Sequence, residues 1–357
     1  MNRLDKEGKM NNKSGKVTAV LVGCGSVSKG WLDAAGNISN LEIVGLVDLK
    51  KKVLLKRASE YGLEKTEIGT DFSSVLRKAS PDIVFNCTTP EAHTEVTLEA
   101  LDHGCHVLQE KPMADSMDNA KKIVAAAKKR GKLVAVIQNY RYNAQIRRLR
   151  DFLSRGDLGQ LTTVNSDFYM GVHFGGFRDH MKHVLLLDMA IHTFDAARFI
   201  TGKNPLSVYC KEWNPSGSWY DHDASAVAVF EMTGGVVYTY HGSWCAEGIN
   251  TPWASEWRIV CEKGSIKWDG AENYQVQVVG ETGAFISNYE DLQIPEYDAK
   301  DKLEGHASLI KEFVHCVRTR EKPETICTDN IKSLSMVFGA IESAKRQSPI
   351  DIESDIL

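Results

Sequence analysis

Residues 17–28 read Val17-Thr-Ala-Val-Leu-Val-Gly-Cys-Gly-Ser-Val-Ser28. Six residues suited to a buried strand run without a break into Gly23-Cys24-Gly25, and a helical pattern follows around Lys29–Ala35. A strand that ends in Gly-x-Gly and opens a helix brings backbone N–H groups, and the positive end of the helix dipole, up to a phosphate. Gly23 permits the tight turn and Gly25 lets the backbone approach a pyrophosphate. Ser26 and Val27 complete the turn. Ser28 stands where a small residue lets the helix lie close on the strand, glycine or alanine being commoner there. Asp48 follows the next apolar run, Leu41–Val47, 20 positions past Ser28. A carboxylate there accepts hydrogen bonds from the adenosine ribose hydroxyls and repels a 2′-phosphate, which favours NAD. Lys50, Lys51 and Lys52 could instead pair with that phosphate, and they keep NADP open.

Outward from this turn the pattern alternates. Helices are expected over Lys51–Tyr61, Phe72–Ala79, Glu91–His103 and Met117–Arg130. Strands are expected over Asp82–Cys87, His106–Gln109 and Leu133–Ile137. Such βαβ alternation builds a parallel, doubly wound sheet. After Gln138 the rhythm changes. A helix (Gln145–Ser154) and a strand (Thr162–Tyr169) lead to a helix at 185–199. Runs rich in β-branched and aromatic residues then follow: Ser207–Glu212, Ala224–Glu231, Val236–Ser243, Trp257–Glu262 and Tyr274–Val279. These predict an α+β unit with a mainly antiparallel sheet. Two late helices, Ala307–Thr319 and Ile331–Arg346, close the chain and are free to pack back on the first domain. The expected division is a flexible tail over 1–15, a Rossmann dinucleotide-binding domain over 16–138, and an α+β domain over 139–357.

At 357 residues the chain exceeds the usual single core. A formal charge of −4 argues against nucleic acid or an anionic membrane as partner. No apolar run approaches the ~20 residues of a membrane span. The basic start MNRLDKEGKMNNKSGK has no apolar segment, so it reads as a tail and not as a secretory signal. Eight cysteines show neither a Cys-x-x-Cys pair nor a zinc spacing, which points to free thiols in a reducing cytoplasm.

Three further stretches carry chemistry. "HVLQEKPMA" puts Glu110-Lys111-Pro112 at the carboxyl end of a parallel strand, the edge where such sheets bind ligands. A lysine there can hydrogen-bond a substrate hydroxyl and stabilise a developing alkoxide. "LLLDMAIHTFDAARF" is an apolar helix that nevertheless holds Asp188 and His192, four residues apart and so on one side. Such a pair is either a hydrogen-bonded core contact or a carboxylate serving a general base. "VHFGGFRDHMKH" offers His173, Arg178, His180 and His183 just before it. It lacks the acidic or cysteine set of a metal site and reads as a pocket-lining loop, with Arg178 or His183 meeting polar substrate groups.

Taken together and in order, the glycine fingerprint, Cys87-Thr88-Thr89-Pro90 with His93, Glu110-Lys111-Pro112 and Asp188-x-x-x-His192 resemble the glucose-fructose oxidoreductase / inositol dehydrogenase / MocA family. The resemblance runs from about Lys16 to the last helix. It implies a Rossmann domain joined to an open-faced sheet domain, with substrate held over the nicotinamide between them. It also implies Lys111 as catalytic lysine, His192 as proton acceptor and Asp188 as its neighbour at the substrate. Thr88, Pro90, His93, Glu110 and Lys111 would line the cofactor, and Arg141 would face the substrate. Relatives commonly pair their open sheets, so a homo-oligomer is expected.

Six of the seven tryptophans lie between Trp213 and Trp268. Trp257 and Trp268 sit in strands and read as core. Trp213, Trp219, Trp244 and Trp253 sit near turn residues, and exposed faces there, Trp219 and Trp244 first, would stack on a sugar ring. The leading expectation is an NAD-dependent dehydrogenase acting on a secondary hydroxyl, C3 first, of a sugar, glycoside or cyclitol. A glycosidase that oxidises C3 transiently is the alternative. A non-catalytic sensor has less in its favour, having no need of Lys111, Asp188 and His192.

Overall fold

The computed structural model describes residues 15–283, 285–296 and 305–352. Most of the expected tail, 1–14, lies outside the described residues, as do the last five positions. The chain forms two compact units. Among described residues the first comprises 15–137 and 305–330, the second 138–296 and 331–352.

In the first unit the strands are β1 (Val17–Val22), β2 (Leu41–Val47), β3 (Glu67–Gly69), β4 (Ile83–Asn86), β5 (His106–Gln109) and β6 (Val134–Val136). The helices between them are α1 (Ser28–Gly36), α2 (Lys51–Glu60), α3 (Phe72–Ala79), α4 (Pro90–Asp102) and α5 (Met117–Arg130). Every strand pair is parallel and the order is β3-β2-β1-β4-β5-β6, so the direction of winding reverses between β1 and β4. Ligands of such sheets bind at the carboxyl ends beside that reversal. All six residues of β1 are buried, because helices cover both sheet faces.

The second unit opens with a 3₁₀ turn (Asn139–Tyr142), α6 (Ala144–Ser154) and β7 (Leu161–Tyr169). A π-helical segment, Leu185–Ala190, runs directly into α7 (Ile191–Thr201). The single α-helix expected over 185–199 is therefore corrected: its first part carries i→i+5 bonding, and nothing in the residue types marks that change. Strands β8 (Pro205–Trp213), β9 (Ser225–Met232), β10 (Val236–Ser243), β11 (Glu256–Cys261), β12 (Gly264–Trp268), β13 (Tyr274–Val279) and β14 (Tyr289–Leu292) follow. Near the end come α8 (His306–Thr319), which groups with the first unit against α1 and β5, then α9 (Cys327–Arg346) and β15 (Ile350–Asp351).

The second sheet has nine strands in the order β14-β13-β12-β11-β7-β10-β9-β8-β15. Only β7 and β10 pair in parallel. Alternate residues of β8 to β10 are buried against the helical segment, with Phe194 edge-on to Phe230 and Tyr240. The opposite face shows Tyr209, Val229 and Val237 to solvent. Trp213, expected in a loop, is the last residue of β8. Among the described residues no helix is long and apolar enough to cross a membrane.

Candidate functional site

The glycine turn is built by close backbone contact. Gly23 has φ +91°, and a Cβ on it would lie 2.6 Å from the Cys87 carbonyl oxygen, so no side chain fits between β1 and the end of β4. Gly25 is different: nothing lies within 4 Å of where its Cβ would be. That open side suits the close approach of a ligand. Ser28 is buried and donates from Oγ to the Gly25 carbonyl at 2.7 Å, which explains a hydroxyl in place of glycine at this position. Asp48 accepts from the Cys24 N–H at 2.8 Å and from the Lys50 N–H at 2.7 Å, so its carboxylate is fixed at the tip of β2. Lys50, Lys51 and Lys52 are exposed.

Beside this turn, Thr88 donates from Oγ1 to Asn86 at 2.6 Å and Pro90 opens α4. Buried side chains of Asn86, Thr97 and Gln109 link β4, α4 and β5 behind it. His93 departs from its expected place along the cofactor. It is fully buried, and its ring nitrogens face the carbonyl oxygens of Pro112 (2.8 Å) and Thr88 (3.1 Å). Burial lowers its pKa against the pull of those two bonds. His93 therefore holds the loops that carry Thr88 and Lys111, and it has no surface with which to touch a ligand.

The Lys111–Pro112 peptide is cis. Before it, Glu110 is buried and accepts from Trp31 Nε1 at 2.7 Å and from the Lys111 N–H at 3.2 Å. His306 Nε2 lies 3.6 Å from the same carboxylate. Burial alone would raise the Glu110 pKa, but the bonds from His306 and Trp31, with the charges of His306 and Lys111, hold it below the usual carboxylate value. Glu110 thus anchors the strand end as an ionised group. Trp31 and His306 were not legible as its partners, since 79 and 196 positions separate them from it.

In the second unit, the Asp188 carboxylate receives a two-pronged contact from Arg178, Nε to Oδ2 at 2.8 Å and Nη2 to Oδ1 at 3.3 Å. The guanidinium also lies over Phe174 (4.7 Å) and Phe177 (4.9 Å). Arg178 was expected to meet the substrate, yet its fork is turned to Asp188. His192, mostly buried on α7, stacks on the Tyr140 ring at 4.8 Å and 23°. Tyr140 in turn donates to the Trp253 carbonyl at 2.8 Å. Asp188 and His192 lie on consecutive parts of one helical segment, the first in its π-helical part and the second in α7.

Two expected substrate contacts are corrected by burial. Arg141 is 6% exposed, and its Nε and Nη2 both donate to Asp195 at 2.7 Å. It is a core ion pair because Asp195, on α7, has no water to solvate it. Trp244 is 1% exposed, edge-on to Phe168, Phe174 and Trp253, so neither ring face is offered to a ligand. Trp219 is half-buried with one face stacked on His173 at 3.7 Å. Half of Trp253 is exposed, and it is the better platform.

His183, with φ +54°, is paired through Nδ1 to buried Glu212 at 2.7 Å. The hydrogen bond to Glu212 raises the imidazole pKa, while burial raises that of Glu212. His173 pairs with Glu247 and His180 with Asp221. No group of three His, Cys, Asp or Glu among the described residues is arranged to hold a metal.

Two family models match. One, an oxidoreductase family with an NAD-binding Rossmann fold, covers residues 17–138. The other, the GFO/IDH/MocA C-terminal domain, covers residues 146–267. The chain belongs to the Gfo/Idh/MocA family. It is 28% identical over 341 residues to a 1,5-anhydro-D-fructose reductase of Ensifer adhaerens, with 94% of this chain and 98% of that protein covered. A D-glucoside 3-dehydrogenase of Escherichia coli is 31% identical over 169 residues, 46% of this chain and 48% of its own. An oxidoreductase from Agrobacterium radiobacter, solved with NAD+, L-tartaric acid and magnesium, superposes with a TM-score of 0.82. Its identity is 20%, covering 95% of this chain and 99% of that one. As a Gfo/Idh/MocA oxidoreductase the protein binds NAD, and the turn fits it: Gly25 is open, and Asp48 is fixed at the strand tip.

Proposed function

We propose that the protein oxidises a secondary hydroxyl of a neutral sugar, glycoside or cyclitol, with C3 of a glucose-type ring as the first position to test. The observation that carries this is the helical segment 185–201. It presents a mostly buried imidazole on an aromatic ring beside a carboxylate clamped by arginine. In this reading His192 takes the hydroxyl proton through its ring nitrogen. Lys111 hydrogen-bonds a substrate hydroxyl and steadies the charge that develops on its oxygen. Asp188, held by Arg178, orients a neighbouring polar group. Bound NAD+ supplies the acceptor for hydride from the carbon. Asp48 supports NAD over NADP. The sugar-directed names of the two relatives support the substrate class.

The exposed face of the second sheet, with Tyr209, Val229 and Val237, supports a homo-oligomer, which light scattering would check against the 39.7 kDa of one chain. The buried free thiols support a reducing cytoplasm as its compartment. Incubation with NAD+ and a panel of sugars, glycosides, cyclitols, sugar acids and sugar phosphates, following NADH absorbance, tests the function. Strong preference for a phosphate or an acid would overturn the neutral-ring reading. Aglycone release without net NADH would replace oxidation by glycosidic cleavage.

A further inference from the structure

We propose that Arg57 is a positioning residue for the NAD diphosphate: from beneath the glycine turn it pins two successive carbonyls and so aims the turn's N–H groups at the cofactor. Arg57 lies on α2, and its side chain is 7% exposed. It donates from Nη2 to the Gly25 carbonyl at 2.9 Å, and from Nη2 and Nε to the Cys24 carbonyl at 3.3 and 3.4 Å. Its remaining arm pairs with Glu60 at 2.5 Å. Nothing in the local sequence signals this, since Arg57 sits in a basic helix whose other cations are exposed.

A trans peptide is planar, with its C=O and N–H pointing in opposite directions. Holding the Cys24 carbonyl toward α2 therefore turns the Gly25 N–H away from it. Holding the Gly25 carbonyl does the same for the Ser26 N–H. Gly25, Ser26 and Val27 are exposed on that outer side, and Gly25 has open space where a Cβ would be. The Ser28 hydroxyl fills the second lone pair of the Gly25 carbonyl, so that oxygen is held from both sides. A carbonyl left to rotate would present an oxygen, instead of an N–H, to an anionic diphosphate. Arg57 also places a permanent cation directly under the turn. Only a planar fork reaches both carbonyls and Glu60 at once, which a lysine cannot do. Tyr61 secures the neighbouring turn of α2 by donating to Asp33 on α1 at 2.8 Å.

The test is NADH affinity by calorimetry, with ADP-ribose as a second probe, on Arg57→Met, Arg57→Lys and Glu60→Gln. Folding is followed by thermal denaturation. Arg57→Met should weaken both ligands about tenfold, the loss of one or two hydrogen bonds' worth of alignment. In turnover it should raise KM for NAD+ more than it lowers kcat. Arg57→Lys, which keeps the charge and reaches one carbonyl, should fall between. Glu60→Gln should stay within about twofold of the unaltered protein, its bond to Arg57 being directed away from the turn. Arg57→Met that folds and binds NADH normally would overturn the proposal. Should that variant not fold, Arg57→Lys decides, and unaltered affinity there overturns it as well. Glu60→Gln weakening NADH as much as Arg57→Met would also overturn it, by placing the effect in the ion pair on α2.

Discussion

The glycine turn of the first unit and the loops before α7 in the second both gather polar side chains, but they use them in opposite ways. Around Gly23–Ser28 the side chains of Ser28, Asp48 and Arg57 hold the backbone, and it is the backbone that we propose to meet the diphosphate. Around 171–183 the side chains hold one another: Arg178 with Asp188, His183 with Glu212, His173 with Glu247. A backbone site depends on its glycines and on the few groups, Arg57 and Asp48 among them, that hold its carbonyls and N–H groups. A side-chain site depends on each named partner.

The sharpest test of that contrast is His192→Ala beside Lys111→Ala. Each should lower turnover by ~10²–10⁴, the usual weight of a positioned acid or base, while His192→Ala leaves NADH affinity unchanged. Near-normal turnover in both, measured by NADH formation, would overturn the proposed roles of these two side chains. Next in size is Arg141→Met, which leaves Asp195 buried without its fork. Denaturant unfolding should show a loss of ~3–5 kcal/mol, with KM for sugar little changed. A large KM effect without destabilisation would return Arg141 to the substrate. Asp48→Ala comes third. It removes ribose hydrogen bonds to a charged acceptor, worth ~1.5–3 kcal/mol of NAD affinity, and should narrow the gap between NAD and NADP in a titration.

The smallest effect concerns pH. The His183 imidazole is raised above its ordinary value by Glu212, with Asp223 adding to the rise and Lys182 opposing it. A group raised on folding lends its stability below the unfolded pKa and loses it as pH climbs through the folded one. The clip between His183 and β8 should therefore be closed in mild acid and loosen toward alkaline pH. Protection against hydrogen exchange over residues 172–183, measured relative to the intrinsic rate at each pH, should fall on the alkaline side, and His183→Gln should abolish that fall. Protection that falls toward acid instead would reverse the sign and sink the assignment.

What could be seen in the sequence follows how far apart the interacting residues lie. Continuous apolar runs such as Val17–Val22 and Leu41–Val47, punctuated by glycine, give strands and winding order directly. The edge strands β3, β14 and β15 escaped notice because two to four residues, none of them buried, leave no periodic pattern. Strand β12 was legible only through Trp268, its bounds being lost in the short hairpin with β11. At the site, Gly23, Gly25 and Asp48 could be placed because strand, turn and helix are contiguous. Arg141 could not, since the Asp195 that claims it lies 54 residues away. Trp244 misled for a similar reason: turn residues flank it, and the rings of Phe168, Phe174 and Trp253 that bury it come from three other stretches.

The π-helical part of 185–190 gives this region an unusual response to in-frame insertions and deletions. A π turn closes its hydrogen-bonded ring with one residue more than an α turn. Removing one codon among Leu185, Leu186 and Leu187 would keep the frame, the apolar composition and α7, and would let the segment close as ordinary α-helix. The deletion would remove only the surplus residue, so the loop carrying Arg178 and His183 would keep nearly its present rotation relative to His192, whereas the same deletion inside α7, where each residue is worth about 100°, would turn the parts on either side of it. A change of three nucleotides that a substitution scan never samples would thus be absorbed in 185–187 and would break the helix register if made in α7.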